Sequence, residues 1–261
     1  MQFLRKLIYR TFGSNGYLTF VRKSFFLAFN TGLLKNKPEI KWHYFVKNLI
    51  KPGYVVIDIG ANLGYFSNSF CKAAGPEGKV LSVEPVTPFR KQLTRQLSWA
   101  KNNTIYGFAL GAENVPEIIL GMPPAVRDLG YIRTGLPSIL HGENEQADEK
   151  NTFASSLKKG SEVFADLERI DYVKIDIEGY EWVVFQDMKD IFASKKPLVQ
   201  AEIWSDNFEE VLAFFADLGY DAYKLYDRKL IALSEIPKDK WGSDDTLFVP
   251  KEKLELIKDL K

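Results

Sequence analysis

Val55-Val56-Ile57-Asp58-Ile59-Gly60-Ala61-Asn62-Leu63-Gly64 is the stretch on which the reading of the whole chain turns. Residues 54–59 form a short, β-branched, nearly unbroken apolar run, as expected for a strand buried on both faces. Two glycines follow, and residues 65–74 then read as a helix that stops at Gly75-Pro76. Glycine in such a turn permits positive φ and lets the backbone come close to a ligand. In an open parallel sheet, ligands bind beyond the carboxyl ends of the strands. The turn therefore marks a binding site, and the question is what binds.

A dinucleotide site uses Gly-x-Gly-x-x-Gly, with pyrophosphate resting on the helix N-terminus. Here the spacing is Gly60-x-x-x-Gly64, with Asn62 where the second glycine would stand. Asp58, just before the turn, would repel a pyrophosphate. It suits a cationic ligand, and S-adenosylmethionine carries an ammonium and a sulfonium. One strand later, Val80-Leu81-Ser82-Val83-Glu84-Pro85 ends in an acid 24 positions after Gly60. That interval is close to the one at which an acid reaches a ribose hydroxyl pair. The competing reading of Glu84 is a cap on the next helix. Glu84 following an apolar strand directly after the glycine turn favours the ribose.

Outward from this segment, strands and helices alternate. Residues 79–83, 104–110, 117–122, 171–177, 198–204, 222–226 and 246–249 read as strands; residues 88–101, 180–192 and 208–218 read as helices. Such alternation implies an α/β domain, residues 51–261, with a mostly parallel sheet and helices on both faces. Residues 123–160, rich in Gly, Pro, Asn and Glu, are read as an irregular lid or insertion. No internal repeat is present.

The second informative run is Asp171-Tyr172-Val173-Lys174-Ile175-Asp176-Ile177-Glu178-Gly179-Tyr180-Glu181. With a period of two, Lys174, Asp176 and Glu178 share one face of the strand. An unpaired charge in the middle of a buried sheet would cost several kcal/mol, so these charges must pair or open onto a cleft. The expected arrangement has Lys174 deeper and paired, with Asp176 and Glu178 at the rim. Glu202, in the next apolar strand, is a plausible neighbour. A divalent ion held by Asp176 and Glu202 is compatible with the preference of hard cations for carboxylates, but it is not favoured, because nothing in the sequence fixes a ligand geometry.

Residues 1–50 differ in character. They read as a mainly helical arm or cap with aromatic side chains interleaved among bases. Residues 1–51 carry ten Lys or Arg against the single acid Glu39, a net +9, and the remaining 25 basic and 33 acidic side chains leave −8. Such an arm either meets something anionic, a membrane surface or an anionic substrate, or docks on its own acidic domain. The docked cap, with its bases in water, is the favoured reading. Of the 261 residues 46% are hydrophobic, enough for a substantial core. Cys71 is the only cysteine, which excludes an internal disulfide and fits a reducing compartment. The N-terminal apolar run is broken by Arg10, Ser14 and Asn15 and has no Ala-x-Ala-like site, so a signal peptide is not expected. Nor is a transmembrane helix. The expected location is the cytoplasm, with room for a peripheral position on the inner face of a membrane.

Residues 56–64, Val83-Glu84-Pro85 and residues 173–181 together resemble the FkbM family of methyltransferases. The likeness spans about residues 50–250 and includes Ala109-Leu110-Gly111 and Thr246-Leu247-Phe248-Val249. The Lys174–Glu181 run is fairly specific to that family, whereas the glycine turn is shared by class I methyltransferases in general. The resemblance implies a Rossmann-like fold with a seven-stranded sheet, S-adenosylmethionine as donor, and an oxygen acceptor on a sugar, polysaccharide or secondary metabolite. By motif, Asp58, Gly60, Asn62 and Gly64 would contact the amino-acid part of the cofactor and Glu84 its ribose, with Asp176 and Glu178 near the acceptor.

The expected chemistry is in-line attack of an acceptor hydroxyl on the sulfonium methyl, in which the protein aligns the reactants and excludes water. Asp176 is the first candidate for the base, with Lys174 tuning its charge or orienting the acceptor. His43 and His141 are the only histidines; each reads more readily as an ordinary surface or core residue, His141 being the better candidate base. Two other readings keep the fold. A non-catalytic binding module should have lost Asp58 or Glu84, and both are present. A nucleic-acid methyltransferase is suggested by the basic arm but disfavoured by the acidic remainder and by the lack of an Asn/Asp-Pro-Pro-Tyr/Phe/Trp run.

Overall fold

The computed structural model describes residues 2–121, 138–139, 152–177, 179–203, 207–241 and 245–261. The opening apolar run forms β1 (Val55–Ile59), flanked by β2 (Lys79–Val83) and, beyond it, β3 (Asn103–Tyr106). A shorter group follows: β4 (Ala109–Gly111), β5 (Val115–Gly121), β6 (Ser138–Ile139) and β7 (Thr152–Lys159). The chain then returns with β8 (Tyr172–Ile175), β9 (Leu198–Ala201), β10 (Tyr220–Tyr226), β11 (Lys229–Ala232) and β12 (Thr246–Pro250). The helices are α1 (Gln2–Asn30), α2 (Lys41–Phe45), α3 (Ser67–Ala74), α4 (Thr87–Gln96), α5 (Gly160–Val163), α6 (Glu181–Asp187), α7 (Lys189–Lys195) and α8 (Phe208–Asp217).

The main sheet has the order β11-β10-β12-β9-β8-β1-β2-β3. From β3 to β9 every pairing is parallel; from β9 to β11 every pairing is antiparallel. Two hydrophobic cores lie against its two faces, and the alternation of side chains assigns them. Ile57, Ile59, Val173 and Ile175 enter one core, while Val56, Tyr172 and Val80 enter the other. Parallel strands covered on both sides carry no solvent face, which is why their sequences run apolar without a break.

Four polar side chains interrupt that rule together. In register, Ser82 stands beside Asp58, Asp58 beside Lys174 and Lys174 beside Gln200. All four are fully buried. A row of this kind across four adjacent strands persists only if its members find polar partners: Ser67 donates to Asp58 and lies beside Ser82, Asp176 and Asp245 pair with Lys174, and the Tyr172 hydroxyl donates to Gln200.

Several expectations are corrected. The main sheet contains eight strands among the described residues, not seven, because residues 229–232 pair back on β10. The hairpin turn there is made by Asp227 and Arg228, both at positive φ, without the glycine that would have announced it. The strand read over 104–110 is two strands, β3 and β4, belonging to different sheets. The helix read over 180–192 is two, α6 and α7, meeting at Met188. The strand read over 171–177 stops at Ile175, so Asp176 lies beyond the sheet edge. Among the described residues of 123–160, Thr152–Lys159 form β7, which joins a second, four-stranded sheet of order β4-β7-β5-β6.

The N-terminal segment is helical, with a kink at Gly13 (φ 64°, ψ −176°). One side of α1 is docked: Tyr17 and Leu18 pack with Leu63, Val86 and Phe89. A polar clasp accompanies this packing. Arg22 Nη1 donates to Gln96 Oε1 (2.7 Å), Gln92 Nε2 to Asn15 Oδ1 (2.9 Å) and Arg95 Nη1 to the same oxygen (2.7 Å). No helix among the described residues is long and apolar enough to cross a membrane.

Candidate functional site

The turn after β1 is held from below. Gly60 and Ala61 both donate their N–H to the Val83 carbonyl at 3.0 Å, tying the turn to the end of β2. Gly60 has φ +82°, and a Cβ built on it would lie 1.9 Å from the backbone carbonyl oxygen of Asp176. Only glycine lets the β1 and β8 ends approach this closely. Asn62 also has positive φ (52°), a conformation asparagine tolerates better than most residues.

Glu84 closes the turn on its far side. One of its carboxylate oxygens accepts the Asn62 N–H (2.8 Å) and the other the Val86 N–H (2.7 Å) ahead of α4. The Arg90 guanidinium braces the same loop through the carbonyls of Glu84 (3.0 Å) and Pro85 (2.9 Å). Burial pushes the Glu84 carboxyl up to about 7, against the lowering effect of its backbone donors. Asp58, beneath the turn, is also pushed up by burial, to about 6. It accepts a hydrogen bond from the Ser67 hydroxyl at the start of α3, and Ser67 in turn lies 3.0 Å from the Ser82 hydroxyl.

At the β8 end, the Lys174 ammonium pairs with Asp176 (3.2 Å) and Asp245 (3.1 Å). Burial alone would push the lysine down, but Asp176, Asp245 and Asp58 together hold it above its ordinary value and charged. Lys174 itself is 1% exposed and Asp176 is 36% exposed, so the pair runs from the core to the rim. Glu181 secures the turn beyond by accepting the Ile177 N–H (2.9 Å). Glu202, at the end of β9, is raised to about 7 by burial and then by Asp176 and Asp245.

These parts surround a cleft of about 150 Å³ lined by Asp58, Gly60, Ala61, Asn62 and Asp176, together with Tyr65, Phe66 and His43. His43 comes from α2, in the N-terminal segment, and stacks on Phe66 with ring centroids 4.0 Å apart. Burial first, and Lys174 next, lower it to about 3, so the imidazole is neutral. Its Nδ1 and the Asn62 Oδ1 are buried without a hydrogen-bond partner among the described residues. Buried polar atoms left open in this way are costly, and both belong to residues that line the cleft. A cationic amino-acid group would satisfy them, and Asp58 provides the matching charge, since Asp176 is already paired with Lys174. The residues present fit the amino-acid part of S-adenosylmethionine.

The structure thus brings Asp58, Gly60, Asn62, Lys174 and Asp176 together. Gly64 lies one turn on, at φ +88°, with its α-carbon facing Leu93 and Gln96 of α4. Glu84 stands behind Asn62 and is not among the residues lining the cleft. Glu178 and His141 lie outside the described residues. Among the described residues, no group of three or more His, Cys, Asp or Glu is placed to hold a metal ion; the cation that Asp176 faces is Lys174. Sequence reasoning missed His43 as a wall of the cleft and Asp245 as a partner of Lys174. Neither lies in a motif with the residues it meets, so only the fold could join them.

A parallel α/β sheet with a glycine turn after its first strand, an acid below the turn and an acid ending the second strand defines a class I methyltransferase fold. The chain belongs to the FkbM methyltransferase family: the profile of the Methyltransferase FkbM domain matches residues 58–222. Among curated proteins, the AMB antimetabolite synthetase AmbE of Pseudomonas aeruginosa is 25% identical over 182 residues, covering 59% of this chain and 8% of AmbE. Among solved structures, the methyltransferase FkbM of Methylobacillus flagellatus matches with a TM-score of 0.45 at 13% identity, covering 79% of this chain and 50% of that one. The precorrin-6y C5,15-methyltransferase of Geobacter metallireducens matches with a TM-score of 0.42 at 13% identity, covering 82% and 87%. The family is one of S-adenosylmethionine-dependent methyltransferases.

Proposed function

We propose that this chain moves a methyl group from S-adenosylmethionine to a hydroxyl of a small molecule or glycan, a sugar, polysaccharide or secondary metabolite. The observation that carries the reading is the Lys174–Asp176 pair, which puts a carboxylate at the rim of the acid-lined cleft. The cofactor supplies a methyl group already activated on a sulfonium, so the chain's own work is placement and proton handling. Asp58 attracts the cationic end of the donor, while Asn62 Oδ1 and His43 Nδ1 accept hydrogen bonds from it. The aromatic rings of Tyr65, Phe66 and His43 keep water out. Asp176, partly exposed, receives the acceptor's hydroxyl proton on a carboxylate oxygen, and Lys174 holds that carboxylate in position. AmbE, of which the matched segment is 8%, is named an antimetabolite synthetase, and a secondary-metabolite acceptor is in keeping with that name. Glu178, outside the described residues, belongs to the same sequence motif and is the second carboxylate proposed for the acceptor.

The test begins with calorimetric titration using S-adenosylhomocysteine, with NAD in parallel. Saturable binding of the first alone is expected; binding of NAD alone overturns the cofactor assignment. Acceptors are then sought by screening hydroxylated sugars and metabolites for methyl transfer. Once one is found, Asp176→Asn should leave S-adenosylhomocysteine affinity nearly unchanged and reduce kcat by about 10²- to 10⁴-fold, the usual contribution of a general base. An unchanged kcat would remove Asp176 from that role.

A further inference from the structure

We propose that the outward face of the N-terminal segment is a docking surface for an anionic lipid bilayer. Large apolar side chains exposed among the described residues are Phe3, Leu7, Phe12, Phe20, Leu27, Leu33, Trp99, Ile119 and Tyr226, so six of nine fall within the first 33 residues. Phe3 is 81% exposed, Leu27 67% and Leu33 76%. Their spacing is ordered. Before the Gly13 kink, Phe3, Leu7 and Arg10 stand at i, i+4 and i+7; after it, Phe20, Lys23 and Leu27 stand at i, i+3 and i+7. Each set lies along one helix face. The opposite face, with Tyr17, Leu18 and Phe26, is already buried against the protein. The helix therefore has two apolar sides, and only one is accounted for by the fold.

Charge selects the occupant. Arg10, Lys23, Lys35 and Lys37 are exposed and make no ion pair among the described residues. Where the segment leaves α1, an open groove of about 600 Å³ is lined by Lys35, Lys37, Lys41, Tyr226 and Arg228, with Asp227 the only acid. The Lys41 ammonium sits 5.5 Å from the centre of the Tyr226 ring, a cation–π contact between two residues of the groove wall. Apolar side chains flanked by bases, beside a cationic groove with room for a lipid headgroup, match a surface of acyl chains and anionic headgroups. A second copy meeting the same face would oppose +9 to +9. The −8 carried by the rest of the chain would be repelled from an anionic bilayer, so attraction and repulsion orient the molecule with its arm toward the lipid. The apolar content sets this face apart from a nucleic-acid site, whose contacts are dominated by phosphate.

The experiment uses the full chain, sedimented with vesicles of phosphatidylcholine alone and of phosphatidylcholine mixed with phosphatidylglycerol. Binding to the mixed vesicles, weakened by added salt, is expected. The double variant Phe20→Ser with Leu27→Ser should lose most of that binding. Lys35→Glu with Lys37→Glu should lower it by at least the roughly fivefold per removed base that surface electrostatics implies. Ile119→Ser, an exposed apolar side chain elsewhere, should bind as the unaltered chain does. Far-ultraviolet circular dichroism of each variant verifies folding, so that lost binding is read as lost contact. Equal recovery of the chain with and without vesicles overturns the proposal. So does salt-sensitive binding to RNA or duplex DNA without vesicle binding, or a dimer that the Phe20 and Leu27 changes dissociate while vesicle binding stays absent.

Discussion

The two halves of the main sheet are built from similar residues and do different work. From β3 to β9 the strands run parallel, so their carboxyl ends open on one edge, and Asp58, Gly60, Glu84 and Asp176 gather there. From β9 to β11 the strands alternate in direction, and the same kinds of side chain build a scaffold. Phe215 of α8 stacks on Phe248 of β12 at 4.0 Å and meets Phe185, Phe192 and Tyr220 edge-on or tilted. The lesson is that chain direction, more than composition, decides where chemistry collects. The antiparallel half still reaches into the site once: Asp245, just before β12, supplies the second carboxylate on Lys174.

That division can be broken by substitution. The largest effect is expected at Gly60. Gly60→Ala places a methyl group against the Asp176 carbonyl at an impossible separation and at a φ that alanine disfavours. S-adenosylhomocysteine binding should fall below detection in calorimetry. Retained affinity would mean that the β1 and β8 ends can part without harm to the cleft. Phe215→Ala is the matching change in the antiparallel half. It should cost about 3–5 kcal/mol of stability, the usual range for a buried phenylalanine, in denaturant unfolding. Cofactor affinity measured well below the midpoint should hardly move; a parallel loss of affinity would show that the two halves are not separable.

Asp58→Asn keeps the shape and removes the charge. It should weaken S-adenosylmethionine binding by about 10- to 100-fold, the scale of one charge-assisted hydrogen bond. An affinity unchanged by this substitution would take Asp58 out of the cofactor site and leave it as a partner of Ser67 only. The smallest effect is a pH trend. Asp58, Glu84 and Glu202 hold their protons to about 6, about 7 and about 7, above their ordinary values of 3.8 and 4.5. The folded chain therefore binds more protons than the unfolded chain between about pH 4 and about pH 7, and these groups lose stability as pH rises through that window. His43, lowered from 6.5 to about 3, acts in the opposite sense below pH 6.5 but is a single group against three. The Tm of the cofactor-free protein should fall by a few degrees from pH 5.5 to pH 8, and Glu84→Gln with Glu202→Gln should flatten the slope. A Tm that rises over that range would contradict the holding of protons by these buried carboxyls.

The sequence by itself determined the parallel core and its motif. Apolar runs of five residues between helical periods leave few other folds, and Asp58, Gly60 and Asn62 occupy one short segment whose backbone dictates their relative placement. Lys174 and Asp176 were equally legible, because a period of two in a buried strand forces their charges to pair or to open outward. What needed the tertiary structure were meetings between distant segments. His43 reaches the cleft only because α2 is laid beside Phe66, and Asp245 reaches Lys174 only because β12 enters the sheet next to β9. The eighth strand depended on a turn through Asp227 and Arg228, and arginine, standing where such a turn usually has glycine, does not advertise positive φ. The N-terminal helix carries apolar residues all round, and its sequence could not say which side the body would bury. Packing against α4 made that choice for Tyr17 and Leu18 and left Phe20 and Leu27 outside. Local patterns report the chemistry of one segment, while the energy that selects among segment pairings lies in contacts between residues far apart in the chain.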